Sequence, residues 1–269
     1  ITPREPNELQ IVKRRLERQP ERLYLVAFEG GEAVGLGFCG PSQSPDRTAI
    51  VVCVPPDPRR RGIGSALLDL VLAHAGDLAR PQVSGMVFED DPETIAWVTN
   101  RGFEEYDRQV ELSREVGPSE AEPQVPNGIE LTELDESRRE EAYEVWVECY
   151  PDMPLSPPIP APTYEEWLQE EVCGPITLLA LEDGRVVGAA ALIERVDGLA
   201  EHGLTAVRRS HRRRGIASAL KQALIHWASA NGYRELTTWT QDGNEAMQAV
   251  NLKLGYRPRP AVINVWRPL

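Results

Sequence analysis

A chain of 269 residues is long enough for two ordinary domains, and 41% hydrophobic with 26% charged residues is the composition of a globular protein, not a disordered or fibrous one. The formal net charge of -13 opposes phosphate backbones and anionic membrane surfaces, which excludes general nucleic-acid binding and suits small cationic partners. No apolar run approaches the roughly 20 residues of a membrane span. Residues 1–15 lack the apolar stretch of a secretory leader, and Cys39, Cys53, Cys149 and Cys173 are too scattered for metal or redox pairs. The expectation is a cytoplasmic protein with buried free thiols, no metal site and no membrane partner.

Residues 7–18 have the spacing of an amphipathic helix, and residues 25–35 read as two strands around a turn. A further strand ends at Val54 and gives way to Arg59-Arg60-Arg61-Gly62-Ile63-Gly64-Ser65, an arginine-rich turn that opens a long helix. A strand, a shorter helix and the pair Gly102-Phe103 complete this half. Residues 117–128, rich in proline, glutamate and glycine, can sustain neither a helix nor a core and read as a linker. Beyond it come a short strand over 129–134, a helical segment over 136–149, a proline-rich loop over 151–162 and an amphipathic helix over 164–172. Residues 178–188 again read as two strands around a turn, and a strand ends at Val207. Arg212-Arg213-Arg214-Gly215-Ile216-Ala217-Ser218 then leads into a helix over 215–231, with Ile216, Leu220, Leu224 and Trp227 on one face. Asn231-Gly232 stops that helix. A strand over 235–240 and a helix over 244–254, closed by Gly255, follow.

The two halves are copies. At a fixed offset of 153 residues, Leu25 falls on Leu178, Gly35 on Gly188, Val54 on Val207, Arg59 on Arg212, Gly62 on Gly215 and Gly102 on Gly255, with no insertion between the matches. Separated matches in one register predict a duplicated domain, with copies at 1–116 and 128–269 and a linker at 117–127. Subtracting the offset places the counterparts of the strand over 129–134 and the helix over 136–149 ahead of residue 1, so the first copy is expected without them. Each copy reads as α+β, a mixed, mostly antiparallel sheet flanked by helices.

A strand that runs through glycine and small residues into a helix start makes a phosphate cradle. The first helical turn has free N–H groups at the positive end of its dipole, and arginines add charge-assisted hydrogen bonds. One arginine run is more often a solvated face than a ligand site. Its recurrence between a strand and a helix in both copies is what gives it weight.

Arg-x-x-Gly-x-Gly/Ala, with valine five residues upstream, resembles the acetyl-coenzyme A signature of the GNAT superfamily of N-acetyltransferases. The run from Asn244 through Met247, Asn251 and Leu254 to Gly255-Tyr256 is similar to the helix and following strand that close over coenzyme A in that family. The resemblance implies two tandem GNAT-like domains with acetyl-CoA as the cofactor. It sets the Val207 backbone along the pantetheine arm, residues Arg212, Arg213, Arg214, Gly215, Ile216, Ala217 and Ser218 at the pyrophosphate, and Asn244 and Asn251 near the thiol end. Val54, Arg59, Arg60, Arg61, Gly62, Ile63, Gly64 and Ser65 are the equivalents in the first copy. Many members carry a tyrosine where this chain has Asn251 and Val98, and neither of these can protonate a departing thiolate. Asp91 and Thr94 stand in place of Asn244 and Met247, so the first copy reads as a degenerate or regulatory site and the second as the catalytic, tighter-binding one.

The strand before the second arginine-rich turn offers Glu201 and His202 as the base for an incoming amine. Side chains alternate along a strand, so one of the two can face the cleft, with Glu201 preferred by resemblance. Tyr164 and Trp167, next to the proline-rich loop, stand where the family forms its acceptor pocket. The activity implied is acetyl transfer from acetyl-CoA to a primary amine of a small molecule or peptide. The missing tyrosine supports the alternative of an acyl-CoA-binding sensor without turnover.

Overall fold

The computed structural model describes residues 20–42, 44–153, 160–195, 198–241 and 243–269. In chain order it contains β1 (Leu23–Glu29), β2 (Glu32–Pro41), β3 (Arg47–Cys53), α1 (Ile63–Asp77), β4 (Gln82–Phe88), α2 (Pro92–Thr99), β5 (Glu104–Glu115), β6 (Ile129–Glu133), α3 (Arg139–Cys149) and α4 (Tyr164–Glu170). It continues with β7 (Ile176–Glu182), β8 (Arg185–Glu194), β9 (Leu199–Val207), α5 (Ile216–Ala230), β10 (Glu235–Gln241), α6 (Glu245–Lys253), β11 (Arg257–Pro258) and β12 (Val262–Pro268). The 153-residue offset holds throughout: β1, β2, α1 and β4 map residue for residue onto β7, β8, α5 and β10, and β5 maps onto β11 with β12.

Two compact units result, and they are not the contiguous segments read from the sequence. The first comprises residues up to Arg108 together with Val262–Leu269, and the second runs from Gln109 to Ala261. Within the first unit β12 pairs with β4, while in the second Gln109–Glu115 of β5 pair with β10. The limits 1–116 and 128–269 could not reveal this, because β5 and β12 are equivalent strands and either could fill either place. Nor do residues 117–124 hang free as a linker. Gly117 O accepts from Ser229 Oγ at 2.7 Å, Gln124 N donates to Gln222 Oε1 at 2.8 Å, and Glu120 O lies 3.0 Å from His226 Nδ1, which docks the segment along α5.

Each sheet is mixed and mostly antiparallel. The first unit has the order β1-β2-β3-β4-β12 with β3 and β4 parallel, and the second has β5-β10-β9-β8-β7-β6 with β9 and β10 parallel. The β1–β2 and β7–β8 hairpins close on two-residue turns with positive φ at both positions, Gly30 (58°) with Gly31 (90°) and Asp183 (50°) with Gly184 (79°). That conformation matches strand twist and favours Gly and Asp. In the second unit α5 lays Ile216, Leu220, Leu224 and Ala228 on Leu192, Val207 and Leu236, while Trp146 of α3 and Trp167 of α4 cover the other face at Leu179 and Ala189. In the first unit α1 packs Leu68, Val71 and Ala75 on Ile50, Val83, Val87 and Val265.

The helix expected over 7–18 lies outside the described residues. Among the described residues of the first unit, β6 and α3 have no equivalent. Cys39 and Cys149 are buried and Cys53 half-buried, but Cys173 is exposed, contrary to the expectation of uniformly buried thiols. No helix of the described residues is long and apolar enough to cross a membrane.

Candidate active site

The site begins where parallel strands part. β3 and β4 pair from Arg47 only as far as Ala49 with Ser84, and β9 and β10 from Leu199 only as far as His202 with Thr238. Beyond those points one edge of each strand is left open, and unpaired backbone groups line a cleft. In the second unit an extra residue in β9, between the partners of Ala190 and Leu192, forms a β-bulge at the parting point. The first unit has an unbroken register there.

Both clefts open onto the same turn. Gly62 and Gly215 cap α1 and α5 in the left-handed region at φ 85° and 84°, and Arg60 and Arg213 share that region at 64° and 60°. A non-glycine residue there costs roughly 1–2 kcal/mol, and the chain bears it twice at equivalent positions. Neither helix has a side-chain cap at its start, so the first-turn N–H groups of Ile63, Gly64 and Ser65, and of Ile216, Ala217 and Ser218, remain available to an anion. That cradle suits the pyrophosphate expected of the sequence motif.

The arginines divide their work. Arg59 and Arg212 each donate Nε–H back to the carbonyl of Val54 and Val207, at 3.1 Å in both cases, so they fix the turn to the strand end. Arg212 Nη2 reaches Asp152 at 2.7 Å, Arg59 Nη1 reaches Asp91 at 3.3 Å, and Arg61 and Arg214 pair with the equivalent Glu29 and Glu182. Hydrogen bonds from Arg209, then Arg212, hold the Asp152 carboxyl down to about 2. Arg60 and Arg213 are exposed, and Arg60 pairs with Glu93 at 2.9 Å.

The first unit contains a cavity of about 690 Å³ between its parted strands. Its walls include Val52, Val54, Leu68, Val87, Val98 and Phe103, and its mouth is the turn from Arg59 to Ser65. Thus the copy read as the poorer binder has an open, apolar cleft. Next to the mouth, Arg101 stacks over Trp97 at 4.0 Å and donates to Ser65 Oγ at 2.9 Å. Trp97 and Arg101 line a side recess together with Arg60. Sequence reasoning missed both residues, since nothing in the spacing of 65 and 101 announces that they meet.

In the second unit the equivalents of five of those apolar wall residues, Val52, Leu68, Val87, Val98 and Phe103, are Thr205, Lys221, Thr240, Asn251 and Tyr256. Lys221 was open to detection from sequence, because it interrupts the apolar face of α5 where the first copy has leucine. Asn251 is fully buried and its side chain has no hydrogen-bond partner, whereas Asn244 spends its side chain capping α6, accepting from Met247 N at 3.4 Å. Asp91 caps α2 in the same way at 3.0 Å, so the two copies do not differ at this position as the sequence suggested.

Glu201 and His202 point to opposite faces of β9. Glu201 Oε2 accepts from Arg195 Nε at 3.0 Å and Nη2 at 2.5 Å, on the face away from α5. His202 is 3% exposed beneath α5, and burial, followed by the charges of Lys221 and Arg114, holds its pKa well below the ordinary 6.5. Tyr164 is half-buried on α4 and stacks on Trp167 at 5.8 Å. Trp167, expected at the acceptor pocket, is fully buried against Trp146, Tyr143 and Tyr164 and packs in the core.

Comparison with known proteins agrees with this geometry. A mycothiol acetyltransferase from Clavibacter sepedonicus is 27% identical over 210 residues, which cover 76% of this chain and 67% of that one. A GCN5-related N-acetyltransferase from Sphaerobacter thermophilus superposes with a TM-score of 0.78 at 20% identity, covering 97% of this chain and 85% of the other. A tandem GNAT protein from the clavulanic acid biosynthesis pathway does so at 0.75 and 20%, covering 93% and 84%. The profile of the acetyltransferase (GNAT) family matches residues 2–103 and again 139–256. With most of the chain so matched and the signature turn built twice in the same geometry, this protein belongs to the GNAT acetyltransferase family and is an acyl-CoA N-acyltransferase with tandem domains.

Proposed function

We propose that the protein transfers an acetyl group from acetyl-CoA to a primary amine of a small molecule or peptide, with the second unit carrying out the transfer and the first holding an acyl-CoA without turnover. The supporting observation is the cradle common to both units: parted strands, a left-handed glycine and an uncapped helix start. When bound, the coenzyme supplies an acyl group activated as a thioester. The N–H groups of residues 63–65 and 216–218 would face its pyrophosphate, and the open edges at Val54 and Val207 its pantetheine arm. Trp97 and Arg101 would lie beside the nucleotide in the first unit.

An amine near neutral pH is mostly protonated and must lose that proton before it attacks a thioester. Glu201 suits the task, with Arg195 fixing its orientation. His202 suits it poorly, because the burial that keeps its ring neutral also opposes the charge it would acquire. The first unit has Thr48 and Ala49 at the equivalent positions and Val98 opposite Asn251. At these positions it offers neither a base nor a proton donor, which supports a holding role. The net charge of -13 favours a cationic acceptor approaching through solvent. Thiol release from acetyl-CoA across a panel of primary amines, with the product identified by mass, tests the reading. Amine-dependent release is expected, and tight acetyl-CoA binding with no release on any amine would leave a binding protein in its place.

A further inference from the structure

The helices α2 and α6 are equivalent, but they meet the signature turn with different chemistry. At the 153-residue offset Trp97 and Arg101 of the first copy stand against Val250 and Leu254 of the second. Arg101, two residues past the end of α2, folds its side chain back along the last turn of the helix. Its guanidinium lies over the Trp97 ring at 4.0 Å, Nη1 donates to Trp97 O at 3.1 Å, and Nη2 donates to Ser65 Oγ at 2.9 Å. A planar cation held flat on an indole and tied at two nitrogens has one orientation, so it is ready for a ligand before one arrives.

That cation stands at the junction of two openings. Arg60, Glu93, Trp97 and Arg101 line both the main cleft and the side recess, so the recess adjoins the cleft where the helix start offers its N–H groups. Arg60 spends its charge on Glu93 at 2.9 Å, whereas no carboxylate among the described residues pairs with the half-buried Arg101. Two arginines against one glutamate leave the recess with one surplus positive charge, in a chain whose net charge is -13. Such a site suits an anion. Coenzyme A carries two: a pyrophosphate, which the N–H groups of residues 63–65 can meet without help, and a phosphomonoester on its ribose. The guanidinium fork matches the second of these, and Arg101 has N–H groups beyond the two that hold it in place.

We propose that Arg101, set in position by Trp97 and Ser65, recognises the ribose phosphomonoester of coenzyme A, so that the first unit discriminates the coenzyme from its dephospho form through a residue the second unit lacks. The inference rests on reading the first cleft as a coenzyme A site. Calorimetric titration of the full chain carrying Gly215→Val, which leaves the first site by itself, tests it with coenzyme A and dephospho-coenzyme A. Coenzyme A is expected to bind about tenfold more tightly, a margin typical of one charge-assisted contact. Arg101→Leu, which installs the second copy's own residue, is expected to bring coenzyme A down to the affinity of the dephospho form and leave the latter unchanged. Arg101→Lys, which keeps the charge without the planar fork, is expected to retain part of the preference, and this separates loss of the charge from loss of the fold. Equal binding of the two ligands before Arg101 is changed, or a preference that survives Arg101→Leu, overturns the inference alone. So does an Arg101→Leu variant that weakens both ligands alike, which would set Arg101 at the pyrophosphate. Failure of coenzyme A itself to bind the first unit overturns the underlying reading as well.

Discussion

Replacing Lys221 by methionine, similar in length and uncharged, should stabilise the second unit by an amount that depends on pH. Burial lowers the Lys221 pKa from its ordinary 10.5 to about 7. At about 1.4 kcal/mol per pKa unit, that gap is a cost of about 5 kcal/mol where the amine is charged in both the folded and the unfolded chain. The cost is complete below pH 7. Between the two pKa values the unfolded chain binds more protons than the folded one, so wild-type stability climbs as pH rises through that window, and the penalty is gone above 10.5. Methionine removes the titrating group, and subtracting the variant curve from the wild-type curve cancels the common groups that the Lys221 charge does not reach; His202, whose pKa that charge lowers, is not among them. The assay is urea denaturation followed by fluorescence of Trp146, Trp167, Trp227 and Trp239, at intervals from pH 6 to 10. The variant should lead by several kcal/mol at pH 6, about 5 at most, with the lead shrinking steadily toward pH 10. A lead that does not change with pH, or a less stable variant, would refute a buried unpaired amine at this position.

Other changes probe neighbouring parts of the account. Leu68→Lys, the reciprocal exchange, should destabilise the first unit by about 3–5 kcal/mol because it places an unpaired charge in an apolar cavity, read by the fluorescence of Trp97 and Trp266. Gly62→Val and Gly215→Val should each cost roughly 1–2 kcal/mol through forced left-handed backbone and remove coenzyme A binding in their own unit, as measured by calorimetry. No atom lies within 4 Å of a Cβ at Gly62, so the stability cost there is backbone strain alone. Glu201→Gln should lower turnover at neutral pH by about 100-fold or more without weakening acetyl-CoA binding. Raising the pH should restore part of the rate by deprotonating the amine in solution, and a variant as active as wild type across the pH range would exclude Glu201 as the base.

The duplication, the paired hairpins and the cradle were legible because each is written in local terms: a fixed offset, glycine at positive φ, and a strand running into a helix start. What escaped the sequence was non-local. β5 and β12 obey the same repeat, so no local signal says which sheet each completes, and the units came out discontinuous. Trp167 was read as a pocket residue because an aromatic on an amphipathic helix looks the same whether it faces a ligand or a core. The ranking of the two clefts rested on Asn244 and Asn251, and the first of these proved to be a helix cap with an equivalent in Asp91. The substitutions that do separate the clefts were visible in the aligned copies as Leu68 against Lys221 and Val98 against Asn251. Their meaning needed the cavity that brings Leu68 and Val98 onto one surface of the first unit.

The division of labour between the units is tested most directly by following isotope-labelled acetyl from acetyl-CoA to a primary-amine acceptor, with product detected by mass, in wild type, Gly62→Val and Gly215→Val. Label should reach the amine in the wild type and in Gly62→Val, and transfer should be lost in Gly215→Val. Transfer that survives Gly215→Val and disappears in Gly62→Val would place the chemistry in the first unit and contradict the account.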